Sequence, residues 1–144
     1  MKEQKFHVKR LRASGLRLTD QRLIISKVLF DRKKTFHFTI EQLKENVKKI
    51  SKKKISTATL YNTVNTFKNR GYLKEISLKG NKTFFDTNTK NHHHFYDEDS
   101  SQLIDIKNEN VSVNNIPSAP IGKKIKEIEV LVRVASSNQK QKNN

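Results

Sequence analysis

The sequence predicts an α+β fold, with an N-terminal winged helix-turn-helix followed by a small α/β, mostly β, dimerisation domain. Three observations lead to this prediction. Apolar residues recur at helical spacing up to Phe67, short β-prone runs follow, and charge is distributed unevenly. Residues 1–90 hold 23 lysines and arginines against 7 acidic residues, whereas residues 91–144 hold 7 of each. Because such a basic part suits a polyanion, nucleic acid is the first candidate partner.

Two helices are predicted in the first 30 residues. The first spans residues 2–13, with Phe6 and Leu11 as apolar anchors and Ser14-Gly15 as its end. The second begins at Thr19, which precedes an acidic residue, and continues to about Phe30. The apolar residues of its broad buried face are Leu23, Ile24, Ile25, Val28 and Leu29. The basic segment 31–38 is predicted to be a connector.

A third helix is predicted to begin at Thr39, because Gln42 three residues later completes a capping-box pattern. A short turn over residues 51–55 leads to a fourth helix. Two helices joined by so few residues are typical of a helix-turn-helix. The apolar stripe of the third helix is Ile40, Leu43, Val47 and Ile50.

The fourth helix has a start signal, an end signal and two different faces. Ser56 is a good N-cap, and Gly71 can adopt the left-handed conformation that ends a helix. The buried stripe is predicted to be Leu60, Val64 and Phe67, and the opposite face carries Ala58, Tyr61, Asn62 and Asn65. An uncharged face with cations at both ends suits a DNA major groove, although a solvated surface helix would show similar periodicity.

A β-hairpin is predicted directly behind this helix. Residues 72–78 and 82–86 are β-prone, and Lys79-Gly80-Asn81 is a turn signal. A hairpin in this place makes a winged helix, whose wing tip carries Lys79 and Lys82. The predicted DNA-binding residues are Arg17, Arg22, Lys53, Lys54, Thr57, Tyr61, Asn62 and Lys82.

The remainder of the chain is predicted to be a small, mostly β unit. Residues 102–106 and 128–134 are strand-like, 111–113 is a further short candidate, and Pro117 and Pro120 interrupt helix formation. Such a unit buries little apolar surface alone, so a homodimer paired through these strands is expected. The predicted boundaries are 1–86 for the winged helix, 87–91 for a linker, 92–135 for the second domain and 136–144 for a disordered tail.

Composition excludes several classes of protein. There is no cysteine, and therefore no disulfide and no Cys-ligated zinc or iron–sulfur site. No segment approaches the roughly 20 apolar residues of a membrane span, and the N-terminus has no signal-peptide core. The chain is expected to be cytoplasmic, with no membrane partner. No enzyme motif appears, although a His–Asp metal site could in principle be hydrolytic.

Three consecutive histidines, His92, His93 and His94, follow the linker. In an extended segment His92 and His94 point the same way and His93 points away, which offers two nitrogens to one ion. His93 would then be free, or available to haem as an axial ligand. A solvated polar run in a linker is the alternative interpretation.

Three segments resemble the Fur family of metal-responsive transcription regulators: GLRLTDQR (15–22), HFTIEQL (37–43) and STATLYNTVNTFKNRGYL (56–73). The resemblance implies a winged helix, a dimerisation domain and a regulatory metal between the two. It also implies that Tyr61 contacts thymine methyl groups. Carried over from the peroxide-sensing branch, the implied metal ligands are His37, Asp86, His92, His94 and Asp105.

Departures from the family pattern are also informative. Asp97 and Ser100 stand at the first cysteine pair of the family's structural zinc, the second pair is missing, and Asn62 replaces an arginine. The run HHHFYDED with PSAPIG resembles the iron response regulator Irr subgroup, which implies haem or iron-status sensing, with His92, His93 and His94 as haem candidates.

The resemblance therefore implies a repressor of iron or haem genes that binds AT-rich, pseudo-palindromic operators. Its signal would be haem or a divalent metal, either iron, manganese or zinc. A peroxide sensor is the nearest rival, in which His37 or His92 would be oxidised. Two further classes stay open, a ligand-independent nucleic-acid-binding protein and a small metallohydrolase.

Overall fold

The computed structural model describes residues 2–137, with side chains from Val8 onward. The chain divides into two compact units between Thr89 and Lys90. The predicted α+β class is confirmed, because helices dominate the first unit and strands the second. The helices are α1 (Lys2–Ala13), α2 (Asp20–Phe30), α3 (Ile40–Ile50) and α4 (Thr57–Asn69). The strands are β1 (His37–Phe38), β2 (Lys74–Ser77), β3 (Thr83–Asp86), β4 (His93–Asp97), β5 (Gln102–Ile106) and β6 (Leu131–Val134).

The predicted helix boundaries in the first unit are confirmed by their caps. Thr19 accepts a hydrogen bond from the backbone N–H of Arg22 at the start of α2. Thr39 and Gln42 form both halves of the capping box of α3. These side chains pair backbone groups that a helix end otherwise leaves without a partner.

The end of α4 is closed by backbone hydrogen bonds around Gly71. The N–H of Gly71 donates to the carbonyl of Lys68, and the N–H of Tyr72 donates to that of Phe67, each at 2.9 Å. This is the Schellman arrangement, which requires a left-handed residue. Gly71 supplies it with a φ of 83°. The helix is therefore fixed at both ends, since Ser56 accepts the N–H of Thr59 at its start.

The core of the first unit lies between its helices and the wing. Leu60, Val64 and Phe67 are fully buried, as their spacing predicts. Ile50 was predicted on the buried stripe of α3, and this is wrong, because its side chain is 52% exposed. It is the last residue of α3, one turn beyond Val47, the last buried residue of the stripe. The buried cluster comprises Leu11, Leu16, Ile25, Leu29, Phe38, Ile40, Leu43, Val47, Ile55, Leu60, Val64, Phe67, Leu73 and Phe85.

The wing is a three-stranded antiparallel sheet in the order β1-β3-β2. The predicted hairpin of β2 and β3 is confirmed, with the turn over residues 79–81 and Gly80 at a φ of 78°. The connector predicted over 31–38 is wrong at its end, because His37 and Phe38 form β1 and pair with Asp86 and Phe85. A strand of two residues has too few positions to show a period of its own.

The second unit is a three-stranded sheet in the order β5-β4-β6. β4 pairs antiparallel with β5 and parallel with β6. Sequence patterning missed β4, because three histidines in succession show no alternation of apolar and polar residues. The strand predicted over 128–134 is shorter than expected, and the candidate over 111–113 is wrong, because that segment is not in a strand.

Two expectations fall outside the described part of the chain. They are the anchoring role of the Phe6 side chain and most of the tail predicted over 136–144. Among the helices of residues 2–137, no helix has both the length and the apolar character needed to cross a membrane.

Candidate metal centre and nucleic-acid interface

A group of two imidazoles and one carboxylate lies on one face of the sheet in the second unit. His94 on β4 is directly opposite Asp105 on β5 in the antiparallel ladder. His92 precedes His94 by two residues, so both rings lie on the same face, with their centroids 4.5 Å apart. The Nε2 atoms of His94 and His92 lie 3.2 and 3.6 Å from Oδ1 of Asp105.

Hydrogen bonding fixes which nitrogen His92 offers. Its Nδ1 donates to the backbone carbonyl of Lys90 at 2.7 Å. Because a carbonyl oxygen only accepts, Nδ1 carries the proton and Nε2 is the nitrogen that can bind an ion. Both imidazoles are more than nine-tenths buried, whereas the Asp105 side chain is 55% exposed.

The donor chemistry of these three residues fits a divalent transition-metal ion. The set places one donor atom of each residue within 4.8 Å of the others. A combination of imidazole and carboxylate ligands suits iron(II), manganese(II) or zinc(II). The hydrogen bond from His92 to the Lys90 carbonyl also fits, because metal-binding histidines usually donate their other ring N–H to an acceptor.

His93 has a different role from its neighbours. Its Nδ1 accepts the N–H of Val130 at 2.9 Å, so its Nε2 carries the proton and donates to Oδ1 of Asn108 at 3.0 Å. The ring is 3% exposed and ties β4 to two other segments of the unit. The prediction that His93 points away from the other two is confirmed, and the prediction that it is free is wrong, because both of its ring nitrogens are hydrogen-bonded. Its role as a haem ligand stays a prediction.

The two remaining candidate ligands are neighbours in the first unit. His37 on β1 is directly opposite Asp86 on β3. The Asp86 carboxylate is almost fully buried, and its Oδ1 accepts the N–H of Asn88 at 2.8 Å. Of the five candidates, two are therefore adjacent in the first unit and three converge in the second.

The candidate recognition face of α4 is exposed, as the sequence predicts. Thr57, Tyr61 and Asn62 point outward, and Tyr61 is 49% exposed. The Thr57 hydroxyl accepts a hydrogen bond from Nζ of Lys44 at 3.2 Å, which joins α3 to the start of α4. An exposed phenol, amide and hydroxyl on one helix match the groups that bases present in the major groove.

A groove beside α4 brings three of the predicted DNA-binding residues together. Arg17, Arg22 and Asn62 line it, and its volume is about 390 Å³. Nη1 of Arg22 donates to the backbone carbonyl of Arg17 at 2.8 Å, which orients the guanidinium. Lys53 and Lys54 are exposed before α4, and Lys82 is exposed at the wing tip, so these cations lie at separate places in the unit.

Four further polar residues line this groove and were not predicted to bind DNA: Thr19, Gln21, Thr59 and Thr63. Gln21 and Thr59 lie in the first turn of their helices, where helix initiation alone is enough to explain a polar residue. Arg70, one of the cations that flank α4, donates to the carbonyl of Ser14 at 2.6 Å and ties α4 to the end of α1.

Asp97 and Ser100 form a turn between β4 and β5. Oδ1 of Asp97 accepts the N–H groups of Asp99 and Ser100 at 2.9 and 3.3 Å. The hydroxyl of Ser100, with these two N–H groups, holds the pKa of the Asp97 carboxyl below its ordinary value. An aspartate and a serine engaged in this way do not provide the thiolates of a structural zinc.

Comparison with known proteins gives one family and consistent neighbours. The model of the ferric uptake regulator family matches residues 13–133. The peroxide-responsive repressor PerR of Staphylococcus aureus is 32% identical over 97 residues, which are 67% of this chain and 64% of that protein. The match thus spans less than two thirds of the relative's length.

Two solved structures have the same fold. The ferric uptake regulator from Pseudomonas aeruginosa with manganese has a TM-score of 0.67 at 17% identity, over 90% of this chain and 97% of the other. The Campylobacter jejuni peroxide stress regulator has a TM-score of 0.57 at 21% identity, over 94% and 96%. At these identities the likeness concerns the fold.

Proposed function

The chain belongs to the ferric uptake regulator family, and on that premise we propose that it is a metal-responsive, DNA-binding transcription repressor. One observation carries the proposal: the convergence of His92, His94 and Asp105, with Nε2 of His92 selected by a backbone hydrogen bond. A metal-responsive regulator needs such a donor set, and an inert histidine run does not.

The DNA-binding part of the proposal rests on α4 and its surroundings. Tyr61, Asn62 and Thr57 would contact base edges and thymine methyl groups, while Arg17 and Arg22 take phosphates beside them. Lys53, Lys54 and Lys82 would add phosphate contacts before the helix and at the wing. The target would be AT-rich, because the phenol of Tyr61 would contact thymine methyl groups, and pseudo-palindromic, because a homodimer presents two such helices related by two-fold symmetry.

The metal part of the proposal adds the first unit to the donor set. A bound divalent ion, iron, manganese or zinc, would supply a compact double positive charge that a convergent set of donors can hold. His37 and Asp86, adjacent across β1 and β3, would complete the set formed by His92, His94 and Asp105. A donor set drawn from both units would favour one arrangement of the two winged helices. To shift the protein almost completely into that arrangement, the ion must bind it more tightly than the other arrangement by about 5.5 kcal/mol.

The homodimer is proposed from the apolar side chains that the second unit leaves exposed. Phe95, Ile104 and Val132 are each more than a third exposed on its three strands. Ile104→Glu is expected to produce a monomer in sedimentation velocity, because a charge would have to be buried in the pairing surface. Asn110→Glu, which places the same charge at an exposed polar position, is the control and should leave the dimer intact.

Peroxide sensing is the second candidate function, and the relatives that carry the name peroxide-responsive repressor favour it. In that case, peroxide with iron(II) would add an oxygen atom to the ring of His37 or His92. Mass spectrometry of proteolytic peptides tests this, with manganese(II) in place of iron(II) as the control. The Irr subgroup and its iron or haem genes remain predictions, and the hydrogen bonds of His93 weigh against haem.

The first experiment combines metal titration with operator binding. Fluorescence anisotropy of a palindromic AT-rich duplex would be followed with and without manganese(II), for the wild type, Asp105→Asn and Glu109→Gln. We expect manganese to change the operator affinity of the wild type and of Glu109→Gln, an exposed acid in the same unit, but not that of Asp105→Asn. If manganese still changed the operator affinity of Asp105→Asn, the assigned site would be wrong. If manganese left the operator affinity of all three proteins unchanged, metal control would be wrong.

A further inference from the structure

The first unit contains a cavity that the proposed function does not use. Its volume is about 200 Å³, and it shares no lining residue with the groove beside α4 or with the metal donors. Its walls come from the second half of α1, the end of α2, the loop before β1, and the residues that follow α4 and β3. The lining residues that carry the argument are Arg10, Leu11, Leu29, Phe30, Arg32 and Tyr72.

The floor of the cavity is apolar and partly aromatic. Leu11 and Leu29 are each 2% exposed, so they belong to the rigid core. The rings of Phe30 and Tyr72 meet edge to face, with centroids 6.4 Å apart. A floor of this kind suits the flat apolar body of a small ligand, because aromatic rings pack favourably edge to face or offset.

The rim of the cavity is cationic. Four cations line it, Arg10, Arg32, Lys33 and Lys34, and no carboxylate is among its lining residues. The guanidinium of Arg10 lies 5.4 Å from the ring centroid of Tyr72, and that of Arg32 lies 3.6 Å from that of Phe36. Stacking on rings restrains both planar groups, which reduces the entropy lost when they bind an anion.

Attraction to helix ends accounts for part of this charge. Arg10 is in the last turn of α1, where a cation is favoured by the carbonyl dipoles. Arg32, Lys33 and Lys34 follow the end of α2, and the dipole effect, which falls off within one turn, weakens from the first of them to the last. The dipole also gives no reason for the apolar and aromatic side chains that line the cavity beside the cations.

We propose that this cavity binds a small aromatic carboxylate, with the ring on the partly exposed Phe30 and Tyr72 and the carboxylate at Arg10 and Arg32. A dry cavity of about 150 Å³ holds benzene, so one of 200 Å³ holds a single ring with its carboxylate. Arginine pairs such a carboxylate through two parallel hydrogen bonds.

The test uses benzoate as the probe and benzamide as its neutral match, with amide chemical shifts followed by NMR on the full chain. Benzoate should give saturable shifts at Gly71 and Thr87 with a dissociation constant at or below about 1 mM. Benzamide should bind at least about tenfold more weakly, because it lacks the charge. Acetate, which lacks the ring, tests whether charge alone suffices and should also bind weakly.

Two variants with a matched control test the rim. Arg10→Gln and, independently, Arg32→Gln should each weaken benzoate binding about tenfold, the loss expected for one charge-assisted pair. Arg12→Gln removes an exposed cation of α1 that lies outside the cavity. It should change the dissociation constant of benzoate by less than about twofold. Equal binding of benzoate and benzamide, an equal loss in Arg12→Gln, or no saturable shift below about 10 mM would overturn the proposal.

Discussion

The two units of this chain bury their apolar side chains to very different degrees. In the first, 14 buried hydrophobic residues form one cluster, and among the side chains described from Val8 onward two large apolar ones, Ile50 and Tyr61, are exposed. In the described part of the second, Tyr96 and Leu103 are the buried hydrophobics, and seven large apolar side chains are exposed. The buried positions of β4 are instead occupied largely by His93 and His94.

This difference indicates where each unit obtains its stability. From its continuous buried cluster we expect the first unit to fold by itself. The second carries little, so its stability must depend on what it binds, which in the proposed function is an ion and a second copy of the chain. A unit that is incomplete alone responds strongly to its ligands, because binding energy adds directly to folding energy. The same property suits it to sensing.

The largest expected effect tests the self-sufficient core. Phe67→Ala should lower the free energy of unfolding of the first unit by about 3–5 kcal/mol, because it removes a fully buried ring and leaves a cavity. That ring also meets Phe30 edge to face, with centroids 5.5 Å apart. Urea unfolding followed by circular dichroism measures the loss. Ile50→Ala, at a half-exposed position, is the control, and equal losses in both variants would refute the assigned core.

The next effect tests the dependence of the second unit on metal. Manganese(II) at about 100 times its dissociation constant should stabilise the bound form by about 2.7 kcal/mol. Hydrogen exchange should slow in β4 and β5, and at the β1–β3 edge where His37 and Asp86 lie, but not in α2 or α4. In Asp105→Asn this protection should disappear, whereas Glu109→Gln should keep it. Equal protection of all amides in both units would show that the second unit does not depend on the metal more than the first.

The contrast between the units also explains what the sequence could predict. Helices α1 to α4 are predictable with their caps, because each is specified by local signals such as Ser56 and Gly71. β1 and β4 escape prediction, since β1 is defined by its pairing with β3, and β4 by two partners, one of them parallel and far along the chain. Pairing between distant segments leaves no local periodicity.

The candidate metal centre was predictable in residue type but not in role. Spacing placed His92 and His94 on one face, and Asp105 was a candidate ligand by residue type that the family resemblance also implied. Spacing also predicted that His93 points away, but only the structure shows what it binds, because its two hydrogen bonds reach Asn108 and Val130, which lie 15 and 37 residues away. The cationic cavity was not predicted, since its walls come from five separate segments.

A smaller effect concerns the start of the recognition helix. Ser56→Ala should cost about 1 kcal/mol of stability, because the hydroxyl accepts the N–H of Thr59 at 3.1 Å. The loss should also weaken operator binding, since Thr57 and Tyr61 follow directly on the helix. Urea unfolding and DNA anisotropy measure the two consequences. Ser77→Ala, at an exposed position of β2, is the control and should change neither stability nor operator affinity. If Ser56→Ala also had wild-type stability, the cap would be unimportant.

The smallest expected effect concerns the turn that joins β4 to β5. The folded pKa of Asp97 lies below the ordinary value of 3.8, chiefly because the Ser100 hydroxyl and two N–H groups stabilise the carboxylate. Its contribution is therefore fully present above the unfolded pKa and is lost as the pH falls through the folded pKa. An NMR titration of the Asp97 carboxyl should give a midpoint below 3.8. This midpoint should rise in Ser100→Ala and should be unchanged in the control Ser112→Ala, which alters an exposed serine. A midpoint at the ordinary value would show that the Asp97 carboxylate does not hold this turn.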